Sequence, residues 1–291
     1  MIRIGVDVGG TKIAAGIVQD GKILIKGQVP AKEDVALENT IAKLCIQLTK
    51  DYGLSINQIA SIGIGLPGAV DSNTAHVINA PNLEVANRIV SQDVSRLLNN
   101  MPVYFENDAN CAALAEHAFG ASKGVKSSLL ITLGTGIGGG VIIDNNLYRG
   151  TFFGAGEIGH HVVVVNGKLC NCGRKGCFEM YASARALEVS AGIKLPDFFK
   201  RIKAKDNDAI KKFNEYLEYL CEGLGNAINI LQPEVVVIGG GLSGLGQWFA
   251  DEINLCMKGK VFDSKVLGNI RIARFGNDAG IIGASLLGGN L

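Results

Sequence analysis

Long hydrophobic runs are absent from this sequence of 291 residues. No apolar stretch approaches the roughly 18 residues that a membrane-spanning helix needs. The first residues, MIRIGVDVGG, lack the layout of a secretory signal. We therefore expect an intracellular protein, located in the cytoplasm and without a membrane partner.

An excess of charge of one sign is also absent. The chain carries 28 Lys and Arg against 27 Asp and Glu, for a net charge of +1. Such a chain has no general field that attracts nucleic acid or anionic membranes, so we expect no nucleic-acid partner. The local basic run FFKRIKAKD, residues 198–206, is interpreted as a solvated helix face or loop. Hydrophobic residues make up 47%, which is enough for a substantial core and argues against disorder.

Cysteines do not occur in an even, disulfide-like framework. There are seven, and three of them fall within the eight residues CNCGRKGC, 170–177. This clustering indicates metal binding rather than disulfides. One imidazole and three thiolates form a closed tetrahedral zinc site, with His160, Cys170, Cys172 and Cys177 as ligands and a structural role for the metal. The alternative is that these cysteines are reduced and pack as small hydrophobic residues, as we expect for Cys45, Cys111, Cys221 and Cys256.

Glycine, in contrast, is abundant, with 39 residues that cluster at 9–10, 134–140 and 239–241. The first cluster lies in DVGGTK, which is followed by the strand-like run KIAAGIV rather than by a helix. A dinucleotide-binding fold or a P-loop would open a helix at this point, so both are excluded. The pattern predicts a tight turn between antiparallel strands, whose backbone N–H groups can bind phosphate. An ordinary glycine hairpin remains the alternative.

The second cluster repeats the same design. LGTGIGGG matches GxGxxG, but strands again follow, so the dinucleotide reading does not apply. Two such hairpin turns, about 125 residues apart, indicate an internal duplication into two similar lobes with a nucleotide between them. The alternation of strands with helices elsewhere predicts an α/β fold.

Five motifs, taken in order, resemble the ROK family of sugar kinases and repressors. They are DVGGTK (7–12), NDAN (107–110), LGTGIGGG (133–140), EIGH (157–160) and CNCGRKGCFE (170–179). The resemblance implies an α/β fold of two similar actin/hexokinase-like lobes with a nucleotide and sugar cleft between them. We expect one lobe to comprise residues 1–118, completed by a C-terminal helix at 279–291. The other lobe would comprise residues 119–278 and carry the zinc-binding loop.

The resemblance also implies roles for individual residues. Asp108 becomes the general base that accepts the proton of the sugar hydroxyl, although Asp and Asn are also common helix caps. Asp7 would hold Mg²⁺ through water, and zinc would fix His160 and Glu179. The residues implied for ATP and its phosphates are Asp7, Gly9, Gly10, Thr11, Lys12, Gly134, Thr135, Gly136, Gly138, Gly239, Gly240 and Gly241. Those implied for the sugar are Gly68, Asn82, Asn107, Asp108, Glu157, His160 and Glu179.

The implied activity is ATP-dependent phosphorylation of a hexose at its C6 hydroxyl. The spacing from His160 to Cys170 and the segments AGEIGH and GNDAGIIGA look most like ROK glucokinases. N-acetylmannosamine or N-acetylglucosamine kinase remains an open alternative, because the pocket residues alone do not separate these acceptors. A sugar-sensing regulator is less favoured, because the first phosphate motif starts at residue 7 and leaves no room for a preceding DNA-binding domain. By analogy with the family, we expect a homodimer.

Overall fold

The computed structural model describes residues 1–31, 36–72, 74, 76–79, 90–263, 265 and 268–289. The strands are β1 (Ile2–Val8), β2 (Lys12–Gln19), β3 (Lys22–Pro30), β4 (Ile62–Leu66), β5 (Ala69–Asp71), β6 (His76–Asn79), β7 (Val103–Asn107), β8 (Ser128–Leu133), β9 (Ile137–Ile143), β10 (Asn146–Leu147), β11 (Val235–Gly239) and β12 (Ile270–Ile272). The helices are α1 (Leu37–Asp51), α2 (Val90–Leu97), α3 (Asp108–Phe119), α4 (Glu179–Ala182), α5 (Ala184–Ala191), α6 (Leu195–Lys203), α7 (Asn207–Leu231), α8 (Gln247–Cys256) and α9 (Ala279–Leu286).

The strands form two larger sheets of the same design, with a small β5–β6 hairpin beside them. The first sheet has the order β3-β2-β1-β4-β7 and the second β10-β9-β8-β11-β12. In the first, β1 pairs antiparallel with β2 and parallel with β4, which pairs parallel with β7. In the second, β8 pairs antiparallel with β9 and parallel with β11, which pairs parallel with β12. The predicted hairpins and the repeated sheet design are therefore confirmed.

Helices cover both faces of each sheet. Helix α1 packs on β2 and β3, and α2 packs on β7, so these two helices bury one face of the first sheet. Helices α4 to α8 share a hydrophobic core with β8, β9 and β11 of the second sheet. Between the two sheets lie α9, which contacts β1 and β4, and α3, which contacts β8 and β9.

Glycine allows the two central helices to pack with backbone against backbone. A Cβ at Gly5 would lie 1.8 Å from Ile281 O, and one at Gly63 would lie 1.7 Å from Ala284 O. A Cβ at Gly283 of α9 would lie 1.6 Å from Cys111 O of α3. No side chain fits at these three positions, so α9 is held directly against both the first sheet and α3.

The predicted fold class, two sheet-and-helix lobes of α/β type, is confirmed. The division at residue 118 stays a prediction; α9 does pack on the first sheet, while α3 contacts both sheets. The basic run at 198–206 lies partly on α6, where Phe198 and Phe199 are buried and the charged residues face outward. Among the described helices, none is both long enough and apolar enough to cross a lipid bilayer.

Candidate active site

Asp108 lies where β7 ends and α3 begins. Its neighbour Asn107 caps the helix, since the Asn107 side-chain oxygen accepts a hydrogen bond from the backbone N–H of Asn110 at 3.0 Å. The amide of Asn107 donates to Gly68 O at 3.0 Å. Asp108 Oδ1 accepts from the N–H of Ala109 at 2.8 Å. Because Asn107 is the cap, the Asp108 carboxylate remains available to a substrate.

Other carboxylates surround Asp108 and change its acidity. Asp108 is half-buried, so protein atoms take the place of much of the water around its carboxylate while part of the residue stays accessible. This burial, followed by the negative charges of Asp7 and Glu157, raises the pKa of Asp108 to about 7. Burial also raises the pKa of Asp7, while the nearby Lys12 ammonium lowers it. The cleft therefore contains a carboxyl group that can take up or release a proton near neutral pH.

The first glycine turn joins β1 to β2 directly above Asp7. The N–H of Gly9 donates to Lys12 O at 2.9 Å, and this bond closes the turn. Gly10, Thr11 and Lys12 are exposed at its tip. Asp7 lies against α9, where a Cβ at Gly280 would be 2.8 Å from Asp7 Cγ. The turn thus presents backbone N–H groups and one ammonium to the cleft.

The second glycine turn joins β8 to β9 and is tied to a residue predicted to bind sugar. The N–H of Gly134 donates to Gly136 O at 3.0 Å, and Thr135 is exposed at the tip. Glu179 Oε2 accepts from the N–H of Ile137 at 2.9 Å. A Cβ at Gly136 would lie 2.2 Å from the same oxygen. Glu179 therefore braces the turn that is predicted to hold phosphate.

The third glycine cluster lies beside the second turn. In it, β11 ends at Gly239, and a short 3₁₀ helix runs from Gly241 to Leu245. Gly240 has φ +75°, and a Cβ there would lie 2.5 Å from Leu133 O. Both the backbone conformation and the lack of space therefore require glycine at this position. Gly138 lies next to Thr132, whose hydroxyl accepts from the Gly138 N–H at 3.2 Å.

Five of the residues predicted to bind sugar lie close to Asp108 or to Glu157, whereas Glu179 contacts the second glycine turn. Gly68 and Asn107 are joined by the hydrogen bond described above, and Glu157 is close enough to Asp108 to raise its pKa. Glu157 precedes a short 3₁₀ helix, Ile158–His160, and its Oε2 lies 3.9 Å from His160 Nε2. Asn82 lies outside the described residues.

The four predicted metal ligands also come together. The ligand atoms of His160, Cys170, Cys172 and Cys177 all lie within 4.8 Å of one another. Cys170 Sγ is 3.7 Å from His160 Nδ1, and Cys172 Sγ is 3.5 Å from Cys177 Sγ. A tetrahedral zinc ion sets its nitrogen and sulfur ligands about 3.5 to 3.8 Å apart, so the set fits zinc.

Burial and mutual proximity change the acidity of the three thiols. Burial and the neighbouring thiols raise the pKa of Cys177 to about 12, and burial raises that of Cys170. The backbone N–H of Arg174 lowers the pKa of Cys172. Zinc bound by these residues would displace the thiol protons, because a metal binds the thiolate form. Since Nδ1 faces the thiols, the opposite nitrogen of His160 faces Glu157.

One ion pair beneath Asp108 was not predicted from the sequence. Glu106, which is 1% exposed, contacts Arg149 from the second lobe. The available signal was a glutamate that directly follows the strand residues VYF and precedes Asn107. Its distant cationic partner could not be identified without the fold.

Comparison with known proteins agrees with this geometry. The model of the ROK family matches residues 3–289. A glucokinase from Streptomyces coelicolor is 35% identical over 98% of this chain and 96% of its own length. An N-acetylgalactosamine kinase from a Shewanella species is 33% identical over 99% of this chain and 96% of its own length. The crystal structure of a ROK family glucokinase from Streptomyces griseus in complex with glucose and AMPPNP superposes with a TM-score of 0.86, at 33% identity and covering 99% of each chain. The chain described here therefore belongs to the ROK family.

Proposed function

We propose that this protein is an ATP-dependent hexose kinase that phosphorylates the C6 hydroxyl of glucose. The observation that carries the proposal is the placement of Asp108. Its carboxyl group, at the start of α3, has a pKa raised to about 7 by burial and by the charges of Asp7, below the first glycine turn, and Glu157, and the neighbouring Ala109 packs on Gly138 of the second turn. The relatives named above, a glucokinase and a glucose complex among them, support glucose as the acceptor.

In the proposed reaction, each lobe contributes one part of the site. The lobe of residues 1–118, completed by 279–291, supplies Asp108 and the first glycine turn. The lobe of residues 119–278 supplies the second turn, Glu157 and the zinc loop. Asp108 accepts the proton of the sugar hydroxyl as that oxygen bonds to the γ-phosphorus of ATP, and ADP leaves. The backbone N–H groups of the two turns and the Lys12 ammonium stabilise the charge on the transferring phosphoryl group.

The residues also fit the two metal ions that we propose. Asp7 and Asp108 raise the free energy of each other's charged form, and a divalent cation nearby would offset that repulsion. Asp7 would hold Mg²⁺ through water, and the ion would neutralise charge on the ATP phosphates. His160 and the three cysteines would hold zinc, whose role is to fix His160 and Glu179 in the sugar pocket.

An N-acetylhexosamine kinase is the second candidate. The N-acetylgalactosamine kinase is nearly as similar to this chain as the glucokinase is, which favours this candidate. N-acetylmannosamine and N-acetylglucosamine are the further acceptors of this class. We also propose that the enzyme is a cytoplasmic homodimer. These last two expectations rest on the family resemblance, and light scattering of the purified protein tests the assembly.

The test is a coupled assay of ADP release with Mg-ATP and one sugar at a time. Glucose, mannose, fructose, N-acetylglucosamine, N-acetylmannosamine and N-acetylgalactosamine are compared by kcat/KM. We expect glucose to be the best acceptor, and Asp108→Asn to lower kcat by about 10²- to 10⁴-fold. A preferred N-acetyl sugar would establish the second candidate. Folded, zinc-loaded protein without turnover on any sugar would refute the kinase proposal.

A further inference from the structure

An ion pair between a buried glutamate and a half-buried arginine joins the two lobes next to Asn107 and Asp108. Glu106 lies at the end of β7, an edge strand of the first sheet, immediately before Asn107 and Asp108. Arg149 follows β10, an edge strand of the second sheet. Arg149 Nε donates to Glu106 Oε2 at 2.5 Å, and the Glu106 side chain is only 2% exposed.

The other oxygen of Glu106 holds the segment that carries Asp108. Glu106 Oε1 accepts from the backbone N–H of Asn107 at 2.9 Å and from Asn110 Nδ2 at 2.9 Å. Asn107 and Asn110 are also joined by the cap bond at the start of α3. Glu106 Oε1 thus holds the backbone N–H just before Asp108 and the Asn110 side chain just after it, while Glu106 Oε2 contacts Arg149.

Arg149 begins the segment that leads to Glu157. Arg149 O accepts from the N–H of Ala155 at 3.0 Å, so the loop folds back on itself before Glu157. Gly156 then packs on β9, where a Cβ would lie 2.6 Å from Gly139 O. The pair therefore connects the backbone of the proposed base to the loop that carries a proposed sugar ligand.

We propose that Glu106 and Arg149 are positioning residues that hold the Asp108 carboxylate in register with the sugar bound by the opposite lobe. This inference rests on the proposed function. The pair touches neither ATP nor sugar in this scheme, and acts through Asn107 and Asn110. A displacement of a reacting group by about 1 Å can lower a rate by about 100-fold, which is the scale of effect expected here.

The chemistry of the pair requires a carboxylate at position 106. An ionised carboxylate only accepts hydrogen bonds, and all three neighbours of Glu106 are donors. In Glu106→Gln, one end of the side chain becomes an NH₂ group. Whichever way the amide turns, this group faces a donor, either Arg149 or the Asn107 N–H. The isosteric variant should therefore disturb the segment without creating a cavity.

The experiment is a double-mutant cycle of Glu106→Gln and Arg149→Met in the full chain. We expect Glu106→Gln to lower kcat about 100-fold with the best sugar, while the KM for Mg-ATP stays nearly unchanged. Arg149→Met removes the donor that clashes with the glutamine amide. The double variant should therefore recover part of the kcat that Glu106→Gln loses, and Arg149→Lys should retain more kcat than Arg149→Met.

Glu116 supplies the matched control on the same helix. It is also a buried glutamate, and it accepts from the N–H groups of Ala121 and Phe275 at 2.7 and 2.9 Å, at the far end of α3. We expect Glu116→Gln to lower the free energy of unfolding with kcat unchanged. Equal losses of kcat in Glu106→Gln and Glu116→Gln, or additive effects of the two cycle mutations, would overturn the inference.

A measurement without turnover keeps this test separate from that of the kinase proposal. Hydrogen exchange of the peptide that contains the amides of Asn107 and Asn110 should quicken in Glu106→Gln and slow again in the double variant. This holds whether or not any sugar is phosphorylated. If the wild type turns over sugar, and Glu106→Gln has the same kcat and the same hydrogen exchange as the wild type, the positioning role alone is refuted. Absence of wild-type turnover together with the expected exchange pattern would refute only the kinase proposal.

Discussion

Replacement of Asp108 by asparagine should lower kcat by about 10²- to 10⁴-fold and at the same time stabilise the fold. The Asp108 pKa rises from 3.8 to about 7 in the folded protein, a change of about three units. At about 1.4 kcal/mol per unit, the ionised carboxylate destabilises the folded state by about 4 kcal/mol at most. Because part of the residue is accessible and an asparagine amide must also be desolvated, we expect Asp108→Asn to gain about 2 to 4 kcal/mol.

The sign of the pH dependence follows from proton binding. Between about pH 4 and pH 7, folded Asp108 keeps its proton while the unfolded chain releases it. The folded state then binds more protons, so the stability of the wild type falls as the pH rises through this range. Asparagine has no proton to lose. The advantage of Asp108→Asn should therefore be small near about pH 4, grow up to about pH 7, and remain constant above it.

Urea unfolding at a series of pH values, with saturating zinc, measures this difference. Asp144→Asn is the control, because Asp144 is an exposed carboxylate in the β9–β10 turn with φ +50°, which asparagine tolerates. Protonation of the zinc ligands at low pH affects all variants alike and cancels in the comparison. A stability advantage that does not change with pH, or that is largest in acid, would refute the electrostatic reasoning.

Three further outcomes test the rest of the site. Glu157→Gln removes a negative charge that raises the Asp108 pKa. The acidic limb of the pH profile of kcat/KM for the sugar should therefore move to lower pH. An acidic limb at the same pH as in the wild type would contradict this. Gly136→Ala places a Cβ 2.2 Å from Glu179 Oε2 and should raise the KM for both substrates, whereas Gly134→Ala in the same turn meets nothing within 4 Å and should do less. Cys172→Ser or zinc chelation should raise the KM for the sugar about tenfold, with a smaller change for ATP, as measured by metal analysis and kinetics.

The sequence predicts the features of this protein that depend on local chemistry. The first turn is indicated by glycines next to Thr11 and Lys12 that are followed by a strand. The recurrence of this strand–turn–strand pattern later in the chain indicates the second lobe. The spacing of the cysteines indicates the zinc loop because a tight loop brings ligands together wherever the rest of the chain lies. Asp108 could be recognised as the start of a helix, while the identity of the cap, Asn107, needed the structure.

The remaining features depend on contacts between distant segments. Glu106 and Arg149 are 43 residues apart and meet only because the fold brings the segment after β10 of one sheet against the end of β7 of the other. From the sequence, Gly5 and Gly63 would be expected only to weaken the strands that contain them. In the structure, they are the positions at which the backbone of α9 contacts the first sheet. No pattern within a single strand or helix carries that information, because the partner lies on another layer.

The ionised Asp108 carboxylate lowers the stability of the folded protein, and this has a functional consequence if the protein is the proposed kinase. Asp7 and Glu157 each repel the ionised Asp108 carboxylate, so the free protein carries an electrostatic strain that a bound cation would relieve. The glycine contacts that clamp α9 between the first sheet and α3 prevent the backbone from spreading to relax that strain. The fold therefore keeps the carboxylates together, and Mg²⁺ bound with ATP should be favoured by the same repulsion that asparagine at position 108 would partly remove.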